Sequence, residues 1–254
     1  MNINLEQYEQ LNPGVQIERH GKHMAFATPS MMTKWRVDTI LKKEPCTIEW
    51  IENFAEGDIL LDVGANVGMY SIWAAAVRGV RVFAFEPEAK NYALLNKNIA
   101  MNGLQHLVMA YCAGLSDQQG LTKLNMADLR AGGSNHALGE PLNFKNEPLK
   151  PIFVQGSVGF TVDSLTCSGD LPIPTHLKID VDGIEHRVIA GSMQTLKNDA
   201  VRSLLIETNL NLESHRSMVA ALNKLGFKHD ADQVNAAMRK EGQFAGVAEH
   251  IFRR

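Results

Sequence analysis

A turn rich in glycine is the first feature of this sequence that is suited to chemistry. It reads Asp62-Val63-Gly64-Ala65-Asn66-Val67-Gly68 and joins an apolar run to a helical pattern. Gly64 and Gly68 permit tight backbone geometry and the close approach of a ligand. The turn also leads into a helix N-terminus, whose free N–H groups and partial positive charge favour a carboxylate. Because Asp62 can serve a cation, the turn predicts a site for a ligand that carries both an amine and a carboxylate.

Two more acids stand at the ends of later apolar runs. Glu86 ends the second run, and a carboxylate there can accept two hydrogen bonds from a ribose diol. Asp180 ends a later run and is expected beside the reacting group. Pro87 and the end of the third run, at Ala113, are expected to line an adenine pocket. The predicted cofactor contacts are Asp62, Gly64, Ala65, Asn66, Gly68, Glu86, Pro87, Ala113 and Asp180.

Two cofactor classes use such a turn, and the residues favour one of them. A nicotinamide dinucleotide calls for G-x-G-x-x-G and an acidic residue about 20 positions later. Here Asn66 occupies the middle glycine position, where the pyrophosphate must approach closely, and Met69 follows Gly68, so the third glycine is missing at its spacing. An acid before the first glycine suits an amine-bearing cofactor. The sequence therefore predicts S-adenosylmethionine, with S-adenosylhomocysteine as product, and keeps an NAD-dependent oxidoreductase as the alternative from another class.

Methyl transfer from a sulfonium is an in-line displacement, in which positioning can supply roughly 7–11 kcal/mol. An alcohol acceptor must also lose its proton, and a positioned base adds about 10²–10⁴-fold to the rate. The predicted catalytic residues are Asp180, Glu185 and His136. Each also has a simpler role: Asp180 as a helix cap, Glu185 as an acid of a first helical turn, and His136 as a solvated loop residue. Lys178 is expected to pair with a carboxylate.

A metal ion would be another way to activate an alcohol. Glu207 and Asn209 end the strand that follows Asp180, and the three side chains could form an oxygen-rich site of the kind that Mg²⁺ prefers. Polar strand ends are common without metal, so Mg²⁺ is considered but not favoured, and no metal ligand is predicted. The 3 cysteines lack metal-type spacing and are expected to be reduced, buried thiols.

The elements that position these residues alternate regularly. Apolar runs predict strands at 59–63, 80–86, 107–115, 176–181 and 203–207, and helical periodicity predicts helices at 69–77, 88–101, 184–196 and 213–225. Segments 227–229 and 247–252 could close the sheet as a final pair. This alternation predicts an α/β fold with a mostly parallel sheet and helices on both faces. Ligands of such sheets bind at the carboxyl ends of the strands.

Two segments depart from the alternation. Residues 1–56 form an N-terminal extension, in which 35–53 look partly helical and could cap the cofactor cleft. Residues 121–175 contain Gly132-Gly133 and several prolines, so they predict a loop-rich insertion before the fourth strand. Residues 57–254 are expected to form the cofactor-binding domain, and the whole chain a single globular unit.

Three stretches together resemble the FkbM family of methyltransferases. They are Leu61-Asp62-Val63-Gly64-Ala65-Asn66-Val67-Gly68-Met69-Tyr70-Ser71, then Phe85-Glu86-Pro87, and then Leu177-Lys178-Ile179-Asp180-Val181-Asp182-Gly183-Ile184-Glu185. They occur in the family's order between about residues 58 and 210, and Asp182 stands where many relatives carry Glu. The resemblance implies a class I methyltransferase fold, which is Rossmann-like. It also implies methylation of a hydroxyl on a sugar or polyketide-type natural product.

Composition bears on the acceptor and on the location. A net charge of −3 over 254 residues lacks the basic excess that captures nucleic acid, so a small-molecule or glycan acceptor is expected. An RNA or protein methyltransferase is the alternative within the class; a non-catalytic cofactor-binding subunit and a homo-oligomer stay open. Residues 1–10 contain two glutamates and no apolar stretch, and no run is long enough to span a bilayer. The expectation is a cytoplasmic protein without membrane insertion.

Overall fold

The computed structural model describes residues 3–254, so the first two residues of the predicted extension lie outside it. The extension contains, in order, α1 (Leu5–Glu9), β1 (Gly14–Arg19), β2 (Lys22–Ala27), α2 (Met31–Lys43) and α3 (Pro45–Glu52). β1 and β2 form an antiparallel hairpin. Ser30 caps α2 and Pro45 begins α3, as favoured at helix N-termini. The predicted helical character of 35–53 is confirmed, whereas the hairpin carried no recognised signal.

The remaining elements follow the predicted alternation, with an added sheet in the insertion. They are β3 (Ile59–Val63), α4 (Met69–Trp73), β4 (Arg81–Phe85), α5 (Ala89–Met101), β5 (Val108–Tyr111), β6 (Gly114–Leu115), β7 (Gly120–Met126), β8 (Ala137–Leu138), β9 (Phe153–Phe160), α6 (Val162–Ser168), β10 (His176–Ile179), α7 (Glu185–Ala190), β11 (Ser203–Asn209), α8 (Glu213–Lys224), β12 (Lys228–His229), α9 (Ala231–Ala237) and β13 (Val247–Arg253).

The central sheet has seven strands in the order β12-β13-β11-β10-β3-β4-β5. β3 lies inside the sheet and pairs in parallel with β10 and β4, while β13 runs antiparallel to both β11 and β12. The central strands β3 and β10 are buried on both faces, which explains the nearly continuous apolar sequence of β3, whereas the buried polar residues of β10, His176 and Lys178, are paired with aspartates. The predicted α/β class, with a mostly parallel sheet and a class I methyltransferase topology, is confirmed.

Neighbouring residues of β3 belong to two different hydrophobic cores. Leu60 packs with Ile72 of α4 and also with Phe26 and Ile51 of the extension. Leu61 faces the other way and packs with the core that contains α7 and α8. This follows from the alternation of side chains along a strand. The sheet is therefore covered on both faces, and the extension shares one core with it.

Two predicted elements are shorter than expected, and one changes its helical type. The third strand ends at Tyr111, and Gly114–Leu115 turns away to pair with β9. The helix that starts at Met69 continues as a π-helical turn, Ala74–Arg78. The helix predicted at 184–196 ends at Ala190, and a 3₁₀ turn follows at Thr195–Lys197. Gly191 follows the last residue of this helix. The position requires glycine, because a Cβ there would lie 2.1 Å from the carbonyl oxygen of Ser116.

The insertion is more ordered than its composition predicts. β6, β9, β7 and β8 form a second sheet in that order, with β7 antiparallel to β9 over the whole length of β7. Its glycines and prolines concentrate in the connections, notably 127–152, rather than in the two long strands. Two of the three cysteines, Cys112 and Cys167, are exposed instead of buried. Among residues 3–254, each helix is too short or too polar to cross a membrane.

Candidate active site

A cavity of about 490 Å³ lies at the carboxyl ends of the central strands. Small-molecule sites have this order of volume and, in open α/β sheets, this location. The predicted residues that line it are Gly64, Asn66, Glu86, Pro87, Ala113, His136 and Asp180. Ala65 lines a side pocket of about 40 Å³. Asp62, Gly68 and Glu185 line neither space.

The glycine turn holds the cavity wall against the end of β10. Gly64 has φ +81°, and a Cβ there would lie 2.0 Å from the carbonyl oxygen of Asp180. Gly68 has φ +84°, and its Cβ would lie 2.4 Å from Cδ1 of Leu95. The N–H groups of residues 64–68 all donate to acceptors within the protein. The turn thus provides close approach, while its own N–H groups are already used.

Glu86 is buried at the end of β4 and faces the cavity. Its Oε2 accepts the N–H of Asn66 and its Oε1 accepts the N–H of Glu88, both at 2.8 Å. Burial raises the pKa of Glu86 to about 7. Since each carboxylate oxygen can accept more than one hydrogen bond, both oxygens can still receive hydroxyl groups from a ligand.

Lys178 joins two carboxylates beneath the cavity. Its Nζ lies 3.4 Å from Oδ2 of Asp180 and 3.9 Å from Oδ1 of Asp62, which confirms the expected pairing. Asp62 is fully buried, and its Oδ2 accepts a hydrogen bond from the Ser71 hydroxyl at 2.6 Å. Burial raises the pKa of Asp62. Burial also opposes the charge of Lys178, but the two carboxylates outweigh it and raise the pKa of Lys178 overall.

Asp180 and Asp182 line the same cavity with opposite pKa shifts. Burial acts against the ionised form of Asp180, but the charges of Lys178 and Lys43 prevail and lower its pKa. Asp182 lies in the left-handed region, with φ +60°, and its Oδ2 accepts the N–H of Asn135 at 2.6 Å. Burial, and then the charge of Asp180, raise the pKa of Asp182 to about 6. The site therefore holds one firmly ionised carboxylate and one that exchanges protons near neutral pH.

His136 and Glu185 differ in their relation to the cavity. Nδ1 of His136 accepts the N–H of Ala127 at 3.3 Å, so the neutral ring carries its proton on Nε2, which is buried and has no hydrogen-bond partner among residues 3–254. Burial lowers the pKa of His136 and keeps the ring neutral. Glu185 instead accepts the N–H groups of Val181 and Gly183, at 3.1 to 3.2 Å, and holds the loop that carries Asp182.

Two segments contribute residues that sequence reasoning missed. From α2 come Met32, Trp35, Arg36 and Lys43, and from the segment between α9 and β13 come Arg239, Gln243 and Phe244. No motif marks either segment. The predicted capping of the cleft by 35–53 provided the one available signal, and it named no residue.

Arg239 bears on the magnesium alternative. It lies 2.6 Å from Oε1 of Glu207 and 2.6 Å from Oε1 of Glu249. Glu207, which Mg²⁺ would need as a ligand, is thus paired with the Arg239 guanidinium. Asn209, the second expected ligand, does not line the cavity. Within residues 3–254, no group of three or more His, Cys, Asp or Glu side chains is arranged to hold a metal ion.

The sheet with its antiparallel β13, the glycine turn after β3 and the acid after β4 define an S-adenosylmethionine-dependent methyltransferase of class I. The model of the FkbM methyltransferase domain matches residues 62–229. The chain belongs to this family, which sets the oxidoreductase alternative aside.

Two relatives and one solved structure illustrate the similarity. Hexuronic acid methyltransferase AglP of Haloferax volcanii is 24% identical over 199 residues, covering 77% of this chain and 74% of that protein. The 31-O-demethyl-FK506 methyltransferase FkbM of Streptomyces tacrolimicus is 28% identical over 216 residues, covering 76% of this chain and 79% of that protein. A crystal structure of methyltransferase FkbM from Methylobacillus flagellatus KT gives a TM-score of 0.49 at 13% identity, over 80% of this chain and 44% of that one.

Proposed function

We propose that this enzyme transfers a methyl group to a hydroxyl oxygen of a sugar, glycan or natural-product small molecule. When bound, S-adenosylmethionine supplies an electrophilic methyl group. A hydroxyl needs a base, and the observation that carries the proposal is the pair of carboxylates, Asp180 and Asp182, that line one cavity with opposite pKa shifts. The names of the two relatives, which refer to a hexuronic acid and to a 31-O-demethyl compound, support the same class of acceptor.

Asp182 is assigned the role of general base. A base works best when its pKa lies near the working pH, and the pKa of Asp182, raised by burial to about 6, meets this condition. Asp180 is a weaker base because its pKa is lowered. It is instead a permanent anion that lines both the cavity and the side pocket. Asp180, one of the predicted cofactor contacts, is therefore assigned to the ammonium group of the cofactor, whereas Asp62, which the sequence also predicted to serve a cation, lines neither space.

The nucleoside is assigned to the end of β4 and its surroundings. Glu86 receives the ribose hydroxyls on the two oxygens that Asn66 and Glu88 hold in place. Pro87 and Ala113 form walls for the adenine. Gly64 allows the backbone to approach the ligand because no Cβ intervenes. Gly68 serves the fold of the turn, since it lines neither space.

His136 is assigned as a hydrogen-bond donor rather than as a base. Its Nδ1 already accepts a backbone N–H, which leaves the Nε2 proton to be donated to an acceptor oxygen. Glu185 is a positioning residue, because it holds the N–H groups of the loop on either side of Asp182. Asp62 acts in the same indirect way through Lys178, which lies between Asp62 and Asp180.

The acceptor is assigned to the part of the cavity between α2 and the segment before β13. Trp35 and Phe244 line this part, and Trp35 remains 46% exposed. Aromatic rings can pack against the apolar face of a sugar ring or of a macrocycle. Gln243, which also lines the cavity, can hydrogen-bond to hydroxyl groups.

Calorimetry and a methyl-label screen test this proposal. We expect the protein to bind S-adenosylhomocysteine and to show no binding of NAD. Incubation with labelled S-adenosylmethionine and panels of sugars, lipid-linked glycans and polyketides should place the label on a hydroxyl oxygen, as located by NMR of the product. Label on nitrogen or carbon, or label on RNA or protein only, would overturn the hydroxyl assignment.

A further inference from the structure

The carboxylate of a bound amino acid needs hydrogen-bond donors that the glycine turn does not have. The N–H groups of Gly64 and Ala65 donate to the carbonyl of Phe85, at 2.9 and 3.0 Å. The next N–H groups, of residues 66, 67 and 68, donate to Glu86, to the Asn66 side chain and to the Ala65 carbonyl. The N–H groups of the turn therefore cannot serve a carboxylate placed there, and a charged donor outside the turn is needed to bind it.

The side pocket shows which element faces the turn. It is lined by the turn itself, by Met69 and Tyr70 at the start of α4, by Lys178 and Asp180, and by one face of α2; the α2 residues are Arg36, Thr39, Ile40 and Lys43. Their spacing of three and four residues places them on a single side of the helix. Arg36 and Lys43 also line the main cavity, as does Asp180. The carboxylate of Asp180 and the cationic side chains of Arg36 and Lys43 thus lie where the main cavity and the side pocket join.

Arg36 differs from the other cations of this region. Lys43 is paired with Glu44, Lys178 with two aspartates, and Arg239 with three glutamates. Arg36 has no carboxylate within 4 Å among residues 3–254. Its Nε donates to the carbonyl of Gly132 at 2.8 Å, which fixes the side chain and leaves the two terminal nitrogens for a ligand.

Charge effects place Arg36 close to the reacting groups. Although burial has the larger effect, the charge of Arg36 also acts to lower the pKa of both Asp180 and Asp182. An unpaired guanidinium beside an ionised carboxylate is suited to a zwitterion, with the carboxylate on the arginine and the ammonium on the aspartate.

We propose that Arg36 binds the carboxylate at the amino-acid end of the cofactor, opposite Asp180. This inference rests on the proposed function. It makes the N-terminal extension a part of the cofactor site, although the family match begins only at residue 62. The extension then acts as more than a cover for the core, because the cofactor site is incomplete without α2.

Two ligands that share a nucleoside test the assignment. S-adenosylhomocysteine has the amino-acid end, and 5′-methylthioadenosine lacks it. For Arg36→Met, calorimetry should show affinity for S-adenosylhomocysteine reduced by about tenfold to a hundredfold, as expected for losing a charge-assisted pair. Affinity for 5′-methylthioadenosine should change by less than about twofold. Arg36→Gln keeps a donor for the carbonyl of Gly132 in the insertion. It should give the same pattern, which shows that the lost affinity does not come from loss of the hydrogen bond between α2 and the insertion.

Lys42→Met is the matched control, since it removes an exposed charge from the same helix outside both spaces. It should leave both affinities unchanged. An equal loss for both ligands, or no loss for S-adenosylhomocysteine, would overturn the role of Arg36 while the wild-type affinities still support the proposed function. Failure of the wild-type protein to bind either ligand would instead overturn the proposed function and this inference together.

Discussion

The carboxyl and amino edges of the central sheet carry similar polar residues in different surroundings. At the carboxyl edge, Glu86, Asp180 and Asp182 line an open cavity. At the amino edge, Asp58 accepts a hydrogen bond from His176 at 2.9 Å, and the other ring nitrogen of His176 lies 2.7 Å from the hydroxyl of Ser203. The residue types and their order of contact match those of a Ser-His-Asp hydrolase, yet the resemblance ends there.

The amino edge is enclosed and its hydrogen bonds are satisfied. The Trp50 indole donates to the Ser203 hydroxyl at 2.8 Å, and the Phe54 ring stacks on His176 with centroids 3.9 Å apart. Asp58, His176 and Ser203 are each at most 7% exposed, and none of them lines the cavity. These contacts fasten α3 to the sheet. Reactive residue types therefore become a site only where a ligand has access and where some bonding capacity is left unused.

The largest expected effect concerns Asp182, the proposed base at the carboxyl edge. Asp182→Asn should lower the rate of methyl transfer by about 10²–10⁴-fold, because a general base contributes that much. Affinity for S-adenosylhomocysteine should change little, since Asp180 and Glu86 are untouched. The measurement is turnover with an acceptor identified by the label screen. In the wild type, the rate should fall as pH drops below about 6, where Asp182 becomes protonated. A variant with full activity would remove Asp182 from the mechanism.

Gly64 tests the closeness of the turn to β10. Gly64→Ala should destabilise the fold by about 3 kcal/mol, because the new Cβ would overlap the Asp180 carbonyl and the residue has positive φ. Urea unfolding measures the change. The matched control is Gly79→Ala, which also has positive φ but open space around the Cβ, and should cost only about 1 kcal/mol. Equal losses in the two variants would show that backbone strain, and not contact with β10, sets the requirement.

Ser203→Ala examines the amino edge. The substitution leaves the buried Trp50 N–H without its acceptor and should destabilise the protein by about 1–3 kcal/mol. Affinity for S-adenosylhomocysteine should stay within about twofold of wild type at temperatures where the variant is folded. Comparing urea unfolding with calorimetry separates the two effects. A variant of unchanged stability but weakened cofactor binding would contradict the contrast between the edges.

The carboxyl edge could be predicted from sequence mainly because its geometry is local. Buried parallel strands require continuous apolar runs, so the position of β3 and of the turn after it followed directly. Glu86 comes immediately after such a run and Asp180 follows the strand that contains Leu177 and Ile179, so both were expected at this edge, and both line the cavity. The left-handed backbone conformation of Asp182, and hence its place in the cavity, could not be predicted from the sequence.

What could not be predicted depends on packing between distant segments. Arg36 and Phe244 lie on opposite sides of the glycine turn in the chain, and only the fold brings both to the cavity. The insertion's strands β7 and β9 are separated by the glycine- and proline-rich connection that dominated its composition. Glu185 was predicted as a catalytic residue, but its carboxylate contacts the loop backbone and does not line the cavity.

The smallest predicted effect is a pH dependence at the carboxyl edge. The pKa of Glu86 in the free protein is raised by burial to about 7. In the proposed complex the ribose hydroxyls donate to the ionised carboxylate, so binding should lower this pKa, and affinity should therefore rise as pH increases through about 7. For 5′-methylthioadenosine, which does not contact Asp180 through an ammonium group, we expect up to about a tenfold gain between pH 5.5 and 8.5, equivalent to one pKa unit. Calorimetry across this range measures it.

Glu86→Gln should bind 5′-methylthioadenosine more weakly and with no rise across the same range. Exposed Glu56→Gln is the control and should keep the wild-type profile. Stability should respond in the opposite direction to affinity. Because the folded-state pKa of Glu86 is raised, its contribution to stability is present below the unfolded value of about 4.3 and is lost as pH rises through about 7. A wild-type affinity that is flat with pH would mean that the ligand does not discriminate between the two forms of Glu86, and the ribose would then belong elsewhere at this edge.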